Sequence, residues 1–424
     1  MGENKKMALK KSICILGMGY IGLPTACMLA NSGHDVLGVD INEEITSKLG
    51  AGKLHIEEPN LEAIFLKAFN DKTLKISPQI QKSDVYIIAV PTPLNSKNKA
   101  ELSYVISAAE MIKEAISRGN LVILESTSPP GTTKNIVGKI ITDGTGLIAG
   151  IDYFLAFCPE RVLPGKIVHE LVNNDRIIGG IDESSAQQAE KIYMSFVKGR
   201  IFTTGLETSE IVKLAENTFR DINIAYANEL SSICGEYGID VWEVIKNANM
   251  HPRVNILAPG PGVGGHCIPI DPWFIIENSR LKGTLIEKSR NINDSRPLLI
   301  AQKCLEIIAG YNNPKVTFLG FSYKEDVGDV RESPAISIYN ELIKKGVKVN
   351  IHDPHIENAK FATSELEDAC RDSDLLLLFV GHKIFSNLNF EKIKLLMKNA
   401  NMFDTRHFFD KEKLLSSGFV YYGI

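Results

Sequence analysis

The stretch Ser12-Ile-Cys-Ile-Leu-Gly-Met-Gly-Tyr-Ile-Gly22 starts as a short apolar run and passes directly into a turn with three glycines. A helical pattern follows as far as Ala30, and a second apolar run, residues 36–39, ends at Asp40. Strand, glycine-rich turn, helix, strand and acidic residue in this order are typical of a βαβ unit that binds a dinucleotide. The stretch therefore predicts an α/β domain built on a parallel sheet.

Each residue of the turn has its own role in such a unit. Gly17 allows the tight turn, Gly19 lets a pyrophosphate approach the backbone, and Gly22 permits close helix packing. The carboxylate of Asp40 would bind ribose hydroxyls and repel a 2′-phosphate, which favours NAD over NADP. The alternative is a glycine-rich turn in another kind of α/β domain.

Strand-like runs continue through the first half of the chain, at residues 85–90, 121–124 and 154–157. The first leads into Pro91-Thr-Pro93 and the second into Glu125-Ser-Thr-Ser-Pro-Pro-Gly-Thr132. Ligands of doubly wound sheets lie outside the carboxyl ends of the strands, so Thr92, Ser126 and Thr127 are candidate cofactor contacts. Helix N-caps and turn formers are the alternative.

The third run leads into Cys158-Pro-Glu-Arg-Val-Leu-Pro-Gly165, a loop bounded by prolines. Arg161 could grip a phosphate or a carboxylate, and Glu160 could position a water molecule. An exposed salt bridge between the two side chains explains the pair equally well.

A second glycine-rich stretch, Pro259-Gly-Pro-Gly-Val-Gly-Gly-His-Cys-Ile-Pro-Ile-Asp-Pro272, cannot extend a helix and predicts a formed loop. His266, Cys267 and Asp271 offer a nucleophile and two proton carriers beside backbone N–H groups that could hold developing negative charge. This is the composition of an active site. The alternative is a connector that contains a buried, inert cysteine.

Residues 207–235 follow a helical period, and residues 286–308 form part of the same helical region. The apolar positions predict the packing face of the first helix: Ile211, Leu214, Ala215, Thr218, Phe219, Ile222 and Ala225. A neighbouring stripe holds Lys213, Asn217 and Arg220, in which Lys and Asn one turn apart could together hold an oxyanion. A solvated polar face is the alternative.

The last third repeats an α/β layout, with strand-like runs at residues 316–319, 347–352 and 375–380. Gly320-Phe-Ser-Tyr-Lys324 carries a single glycine, so a second dinucleotide site is not expected. Lys324 could meet a phosphate or a uridine, and a surface turn is the alternative. We therefore predict two Rossmann-like doubly wound α/β domains, residues 1–205 and 311–424, joined by a helical central domain, residues 206–310.

The composition of the 424-residue chain limits its function. A net charge of −4 offers no basic field for nucleic acid or a membrane surface, and the apolar runs are too short to span a bilayer. The first residues contain no apolar run, so a signal peptide is not expected. Seven scattered cysteines without a CxxC pair suit reduced thiols in a cytoplasm and predict neither a disulfide framework nor a metal site.

The chain resembles the UDP-glucose/GDP-mannose dehydrogenase family in five motifs that stand in order across nearly its whole length. They are Gly17-Met-Gly-Tyr-Ile-Gly-Leu-Pro24, Pro91-Thr-Pro93, Lys213-Leu-Ala-Glu-Asn217, Gly260-Pro-Gly-Val-Gly-Gly-His-Cys267 and Gly328-Asp-Val-Arg-Glu-Ser333. Within the family, Asn249-Met-His-Pro-Arg-Val-Asn-Ile256, together with Arg220, most resembles the members that act on UDP-N-acetyl-D-mannosamine.

The resemblance implies oxidation of the primary alcohol of a nucleotide sugar to a carboxylate, with two NAD⁺ and no metal. Cys267 would capture the aldehyde as a thiohemiacetal, which becomes a thioester that water hydrolyses. Lys213 with Asn217 would stabilise the alkoxide. Asp271 and Glu160 would take part in proton transfer and in thioester hydrolysis.

The resemblance also implies two sets of binding residues. Those for NAD, besides the glycines of the first turn, are Tyr20, Ile21, Asp40, Thr92, Thr127 and Arg331. Those for the UDP-sugar are Arg161, Val162, Lys213, Asn217, Arg220, Gly264, Tyr323, Lys324 and Arg406. His251 and Arg253 would reach the substrate of a neighbouring subunit, which implies a homodimer or a higher homo-oligomer with shared active sites.

Three alternatives stay open at this point. The same chemistry could act on UDP-N-acetylglucosamine or UDP-glucose. The chain could be a two-electron dehydrogenase of the hydroxyacid type, with Lys213 and Asn217 active and Cys267 structural, or it could be a non-catalytic NAD-binding protein. A thiol of Cys267 sealed in an apolar interior would exclude the thioester route.

Overall fold

The computed structural model describes residues 10–281, 283–356 and 361–424. Residues 1–9, for which the sequence predicts no signal peptide, lie outside this part of the chain. The chain forms two compact units, and its division into three domains stays a prediction. The first unit consists of the chain up to Glu216 together with Phe274–Ser279, and the second of Asn217–Trp273 and Arg280–Ile424.

The first unit is built on one large sheet. Its strands are β1 (Ser12–Leu16), β2 (Asp35–Val39), β3 (Leu74–Ser77), β4 (Val85–Ile88), β5 (Leu121–Leu124), β6 (Phe154–Phe157), β7 (Arg176–Gly180) and β8 (Ile201–Gly205). Their order in the sheet is β3-β2-β1-β4-β5-β6-β7-β8, and every neighbouring pair is parallel except β6 and β7. The strand order reverses between β1 and β4, which is where doubly wound sheets bind their ligands.

Helices cover both faces of this sheet. They are α1 (Gly22–Asn31), α2 (Glu43–Gly50), α3 (Leu61–Asn70), α4 (Ser103–Ala115), α5 (Lys139–Thr145), α6 (Ile167–Asn173) and α7 (Glu183–Tyr193), with a π-helical turn at Thr133–Gly138. Because successive side chains of a strand point to opposite faces, Ile13 and Ile15 enter one core, while Cys14 and Leu16 enter the other. Burial on both faces explains why the strand runs are apolar throughout.

The second unit carries a smaller, wholly parallel sheet. Its strands are β9 (Lys315–Leu319), β10 (Lys348–His352), β11 (Leu375–Leu378), β12 (Asn401–Asp404) and β13 (Val420–Gly423), in the order β10-β9-β11-β12-β13. The remaining helices are α8 (Leu206–Tyr237), α9 (Val241–Ala248), α10 (Asp271–Glu277), α11 (Leu285–Ile307), α12 (Pro334–Lys344), α13 (Leu366–Cys370), α14 (Phe390–Leu396) and α15 (Lys411–Ser416). Helices α8 and α10 begin in one unit and end in the other.

Helix α8 buries only part of the face that its apolar residues predict: Leu214, Thr218 and Ala225 are buried as expected. Ile211, Ala215 and Phe219 are exposed, so their assignment to the packing face is wrong. The buried positions include Asp221 and Asn228, which are polar. The reason is that partners on α11 and in the loop before α10 hydrogen-bond these side chains, which makes their burial tolerable.

The predicted fold class is confirmed: two α/β sheets of Rossmann type accompany a helical region formed mainly by α8 to α11. The runs at residues 85–90 and 375–380 each extend two residues beyond their strands. The chain leaves the sheet there; Phe379 and Val380 nevertheless stay buried. Among the residues that the structure describes, no helix is long and apolar enough to cross a membrane.

Candidate active site

The first glycine turn is held rigidly at the carboxyl end of β1. Gly17 has a φ of +96°, and a Cβ there would lie 2.6 Å from the carbonyl oxygen of Ala89. A Cβ on Gly22 would overlap the carbonyl oxygen of Gly17. Only glycine fits at either position, so the predicted roles of these two residues in the turn are met by contacts within the protein.

Gly19 needs no such explanation from packing. A Cβ built on it would meet nothing within 4 Å, and its φ does not lie in the left-handed region. The open space lies just before the amino terminus of α1, where helix N–H groups attract phosphate. The turn therefore fits the pyrophosphate of a dinucleotide. Tyr20, which is 39% exposed, and the partly buried Ile21 complete the rim.

Asp40 lies at the end of β2 and faces the same turn. Its Oδ2 accepts a hydrogen bond of 2.8 Å from the backbone N–H of Met18, and its Oδ1 accepts one of 2.9 Å from Asn42. Each carboxylate oxygen keeps a second lone pair that a ribose hydroxyl could use. The fixed negative charge disfavours a 2′-phosphate at this position.

The loops after β4 and β5 meet at two of the predicted cofactor contacts. The hydroxyl of Thr92 donates a hydrogen bond of 2.6 Å to the carbonyl oxygen of Thr127, and the hydroxyl of Ser126 donates one of 2.7 Å to that of Val90. Thr92 and Ser126 thus bind strand-end carbonyls instead of capping helices, so the N-cap alternative is wrong for them.

The side chains of Glu160 and Arg161 do not pair with each other. Glu160 accepts a hydrogen bond of 2.9 Å from the buried guanidinium of Arg176. Arg161 pairs with Glu216 at 2.7 Å. An exposed salt bridge between Glu160 and Arg161 is therefore the wrong explanation of this motif. Val162 is partly buried against the core of the first unit.

In the second unit, Cys267 differs from every other cysteine of the chain. All seven cysteines are described; Cys267 is exposed and the other six are buried. Burial raises the pKa of Cys14, Cys27, Cys158 and Cys370 to about 12, so these thiols stay protonated and unreactive at neutral pH. The alternative of a buried, inert cysteine at position 267 is wrong.

The glycines before Cys267 allow a close approach by other segments of the second unit. A Cβ on Gly264 would lie 2.8 Å from the carbonyl oxygen of Glu332 and 3.0 Å from the Cβ of Tyr323. A Cβ on Gly265 would lie 2.9 Å from the ring of Tyr323, and one on Gly260 would lie 2.9 Å from a guanidinium nitrogen of Arg406. The fold thus gathers three predicted substrate contacts, Gly264, Tyr323 and Arg406, along one loop.

Asn217 and Asp271 form a buried pair. The side-chain N–H of Asn217 donates a hydrogen bond of 2.6 Å to Asp271, and the backbone N–H of Asp271 donates one of 2.9 Å to the carbonyl oxygen of Cys267. Lys213 lies one turn earlier on α8 and is only 7% exposed. A solvated polar face is therefore the wrong explanation for Lys213 and Asn217, whereas Arg220 is exposed.

His266 differs from the thiolate-stabilising cation that its position next to Cys267 suggests. Burial of its ring, and then the nearby charge of Arg331, lower the pKa of His266 below the usual value. A neutral imidazole adds no positive charge beside the thiol. Arg331 itself makes a two-point ion pair with Asp329, at 2.9 and 2.7 Å.

The loop after β9, which carries Lys324, is held by a cluster of polar side chains. Asp326, His355 and His382 bring possible metal-ligand atoms within 4.8 Å of one another. However, Nδ1 of His382 accepts a hydrogen bond from the backbone N–H of Asp326 at 2.9 Å, and its Nε2 lies 3.2 Å from Asp353. These bonds use both ring nitrogens, so the cluster holds the loop in place, and a role of Lys324 in binding stays a prediction.

Three further predicted contacts occupy contrasting surroundings. Arg406 donates a hydrogen bond of 2.9 Å to the carbonyl oxygen of Phe379, and burial lowers the pKa of its guanidinium. His251 and Arg253 are exposed and contact each other through the ring of His251 and the backbone N–H of Arg253, at 3.3 Å.

Models of one protein family match three successive parts of the chain. The NAD binding domain of the UDP-glucose/GDP-mannose dehydrogenase family matches residues 11–197, the central domain matches residues 207–295, and the UDP binding domain matches residues 317–411. The chain is also 45% identical to a UDP-N-acetyl-D-mannosamine dehydrogenase of Methanococcus maripaludis, over 97% of this chain and 96% of that protein. The chain belongs to the UDP-glucose/GDP-mannose dehydrogenase family.

Other members are similar over almost the same length. The structure of a UDP-D-ManNAc dehydrogenase from Pyrococcus horikoshii superposes with a TM-score of 0.91 at 41% identity, covering 97% of this chain and 99% of that one. An NDP-N-acetyl-D-galactosaminuronic acid dehydrogenase of Ralstonia nicotianae is 40% identical over 91% of this chain and 94% of that protein. The family assignment confirms the resemblance and confirms NAD as the cofactor.

The structure of this dehydrogenase contains a buried group that the sequence patterns do not single out. Glu125, at the end of β5, accepts a hydrogen bond of 2.6 Å from the hydroxyl of Tyr193. Arg176 lies 4.8 Å above the ring of Tyr193 and also binds Glu160. Burial raises the pKa of Glu125 to about 7, although the charge of Arg176 opposes the shift. The only signal in the sequence is an acidic residue directly after an apolar strand.

The second and third glycines of the turn, Gly19 and Gly22, provide a matched test of the NAD site. Gly22→Ala should lower the melting temperature, because its Cβ overlaps the backbone of Gly17. Gly19→Ala should leave the melting temperature almost unchanged and weaken NAD binding, because its Cβ would enter the open space. Thermal unfolding and calorimetric titration with NAD measure both effects. Wild-type NAD affinity in Gly19→Ala would show that the pyrophosphate does not cross this residue.

The raised pKa of Glu125 predicts a pH-dependent stability. The pKa is about 7 in the folded protein against 4.5 for an ordinary Glu. Between these values the folded protein holds a proton that the unfolded chain has lost, so this group lowers the free energy of unfolding as the pH rises, and the effect levels off above 7. Glu125→Gln should therefore gain stability relative to the wild type from pH 5 to pH 8 in urea titrations. A difference that does not change with pH would contradict this assignment.

Proposed function

We propose that this chain oxidises UDP-N-acetyl-D-mannosamine to the corresponding uronate in a four-electron reaction that consumes two NAD⁺. The observation that carries the proposal is Cys267, the one exposed thiol, which lies at the end of a glycine loop and is hydrogen-bonded through its carbonyl to the N–H of Asp271. A hydroxyacid-type dehydrogenase has no use for such a thiol.

The proposed chemistry balances at C6 of the sugar. The primary alcohol loses a proton and a hydride and becomes an aldehyde. The thiolate of Cys267 adds to this carbon while the aldehyde oxygen takes up a proton, which forms a thiohemiacetal. The thiohemiacetal then loses its hydroxyl proton and a second hydride and becomes a thioester. Water then breaks the carbon–sulfur bond, releasing the carboxylate and the thiol. Bound NAD⁺ supplies the acceptor for each hydride.

The buried polar groups suit the proton movements of this sequence. Lys213 would hold the alkoxide as the alcohol proton leaves, and Asn217 would donate a hydrogen bond to the same oxygen. Asp271 orients the amide of Asn217 through their 2.6 Å hydrogen bond and would exchange protons with water. Glu160 would position the hydrolytic water while Arg176 keeps its carboxylate in place.

The substrate assignment rests on three supports. The glycine loop at Gly264 allows a close approach of the UDP part to the backbone, and Tyr323 and Arg406, which lie against this loop, offer a ring and a cation. Lys324 follows Tyr323 in the sequence. Arg161, Val162 and Arg220 would contact the remaining parts of the UDP-sugar. The motif at residues 249–256 and the name of the Methanococcus relative favour N-acetylmannosamine as the sugar. The Ralstonia relative keeps another N-acetylated sugar as the rival.

Counting NADH tests the reaction class. Wild-type protein should form two NADH for each sugar consumed and release the uronate. Cys267→Ala should form no uronate and lose at least about a hundredfold in overall turnover, because the covalent step is gone. Cys234→Ala, at a buried cysteine of α8, is the matched control and should keep the wild-type stoichiometry. One NADH per sugar in the wild type would indicate a two-electron dehydrogenase.

A panel of sugar nucleotides tests the substrate. We expect the highest kcat/KM for UDP-N-acetyl-D-mannosamine, with lower values for UDP-N-acetylglucosamine and UDP-glucose, because specificity is set by differential binding in the transition state. Including UDP-N-acetylgalactosamine separates the rival. A clear preference for UDP-glucose would overturn the assignment of the sugar.

We further infer that the chain is a homo-oligomer in which His251 and Arg253 reach a neighbour's substrate. Apolar side chains line one exposed stripe of α8 at intervals of seven and four residues: Phe219, Tyr226, Ile233 and Tyr237. An apolar stripe of this length is typical of a helix packed against another protein surface. The six cysteines other than Cys267 are buried thiols outside any disulfide, which suits a reducing cytoplasm.

Two isoleucines of equal exposure test the oligomer. Ile233→Glu should convert the protein to monomers and lower its activity, because it places a charge within the apolar stripe. Ile343→Glu is the control: Ile343, on α12, is 45% exposed, as is Ile233. Light scattering after size exclusion measures the mass. A monomeric wild type, or an Ile233→Glu dimer with full activity, would contradict shared active sites.

A further inference from the structure

The loop that carries Cys267 is held at its first glycine by two buried side chains. The backbone N–H of Gly260 donates a hydrogen bond of 2.9 Å to Oδ1 of Asn228. Its carbonyl oxygen accepts one of 3.1 Å from Nε of Arg296. Asn228 lies on α8 and Arg296 on α11, so the Gly260 residue is fixed from two helices at once.

Neighbouring groups determine which way the amide of Asn228 points. Its Nδ2 donates a hydrogen bond of 2.9 Å to Oδ1 of Asn293. The Nδ2 of Asn293 in turn donates to the carboxylate of Asp221 at 2.8 Å, and Asp221 pairs with the buried Arg290. Because a carboxylate can only accept hydrogen bonds, each side-chain amide in this series of hydrogen bonds has a single orientation. Oδ1 of Asn228 is therefore always presented to Gly260.

Arg296 is an unusual cation. It is 6% exposed, and it binds only neutral oxygens: the carbonyl of Gly260 and the hydroxyls of Ser231 and Ser232, at 3.0 to 3.1 Å. No carboxylate within the described residues pairs with it. Burial lowers its pKa to about 10, so it stays charged at neutral pH. Burying a charge without a counterion lowers the stability of the fold. The presence of Arg296 at this position therefore needs an explanation other than stability.

Helix α8 also holds the other parts of this loop. Oδ1 of Asn223 accepts a hydrogen bond of 2.9 Å from the backbone N–H of Leu257, and Asn217 binds Asp271 beyond the cysteine. Asn217 and Asn228 are eleven residues apart, which is about three helical turns, so they lie on the same side of α8. One helix face thus grips the loop on both sides of Cys267.

We propose that Asn228 and Arg296 are positioning residues that set the location of the Cys267 thiol by holding the residue Gly260. The inference rests on the proposed thioester route and goes beyond it. Between the anchor and the thiol, the chain contains three further glycines, at 262, 264 and 265. These glycines are packed against Pro297, Pro334 and Tyr323, so a shift at Gly260 is transmitted along the packed loop to the thiol. A misplacement of about 1 Å lowers a rate about a hundredfold.

Two substitutions test this role in the full-length protein. Asn228→Ser removes the acceptor for Gly260, and Arg296→Met removes the donor and the buried charge while keeping an extended side chain. Both should lower kcat about ten- to a hundredfold and change the KM for either substrate by less than about threefold. Arg296→Lys, which can still donate to the carbonyl of Gly260, should recover part of kcat.

The thiol itself provides a readout that does not depend on catalysis. Cys267 is the exposed thiol, so iodoacetamide should alkylate it selectively. Its alkylation rate, followed against pH, should change in both variants because the loop that carries the sulfur moves. The matched control is Asn401→Ser, at a buried asparagine of β12 that donates to the carbonyl oxygen of Asp374 at 2.8 Å. It should lower the melting temperature and leave kcat and alkylation unchanged.

The outcomes separate the two claims. If kcat and the alkylation profile of Asn228→Ser and Arg296→Met match those of Asn401→Ser, the positioning role is wrong. If the variants alter alkylation but the wild type forms one NADH per sugar, the anchor is real and the thioester route fails. Should Arg296→Met not fold, Asn228→Ser decides alone, since its smaller side chain adds no bulk to the core.

Discussion

The absence of side chains in the loop before Cys267 is the constraint on which the second unit depends. Positions 262, 264 and 265 lie so close to Pro297, Pro334 and Tyr323 that an added Cβ would come within about 3 Å of them. These contacts bring the loop, the start of α12 and the segment after β9 into one assembly. The loop that ends at the exposed thiol is held by packing of its backbone against side chains. It is therefore more rigid than a turn without such packing.

Polar side chains inside the helical region serve the same assembly. Helix α8 buries Lys213, Asn217, Asp221 and Asn228, and each buried amide or carboxylate finds a partner that offsets its loss of water. The exposed apolar residues of the same helix are the complement of this arrangement. Because the inward face of this helix makes hydrogen bonds, apolar residues lie on its exposed face, where the proposed second copy of the chain would cover them.

Much of the first unit could be predicted because its signals are local. The apolar runs at β1, β5 and β6 match their strands in full, and Gly22 is explained by a contact within the turn that contains it, whereas Gly17 also packs against Ala89 after β4. The strands β7 and β8 carry weaker patterns, and nothing local indicates that β7 runs antiparallel to β6. The predicted packing face of α8 was wrong in part, because the hydrophobic period assumes an apolar interior, whereas this interior is partly hydrogen-bonded.

By itself the sequence determined the α/β class, the dinucleotide turn and the family, because each depends on residue types at short spacing, and it predicted Cys267 as the reactive cysteine. Only the tertiary structure decided which of seven thiols is exposed, that Asn217 pairs with Asp271, and that Glu125, Arg176 and Tyr193 form one buried cluster with Glu160. These facts depend on segments far apart in the chain. Burial and partner choice are properties of the packed interior, and no short pattern of residues encodes them.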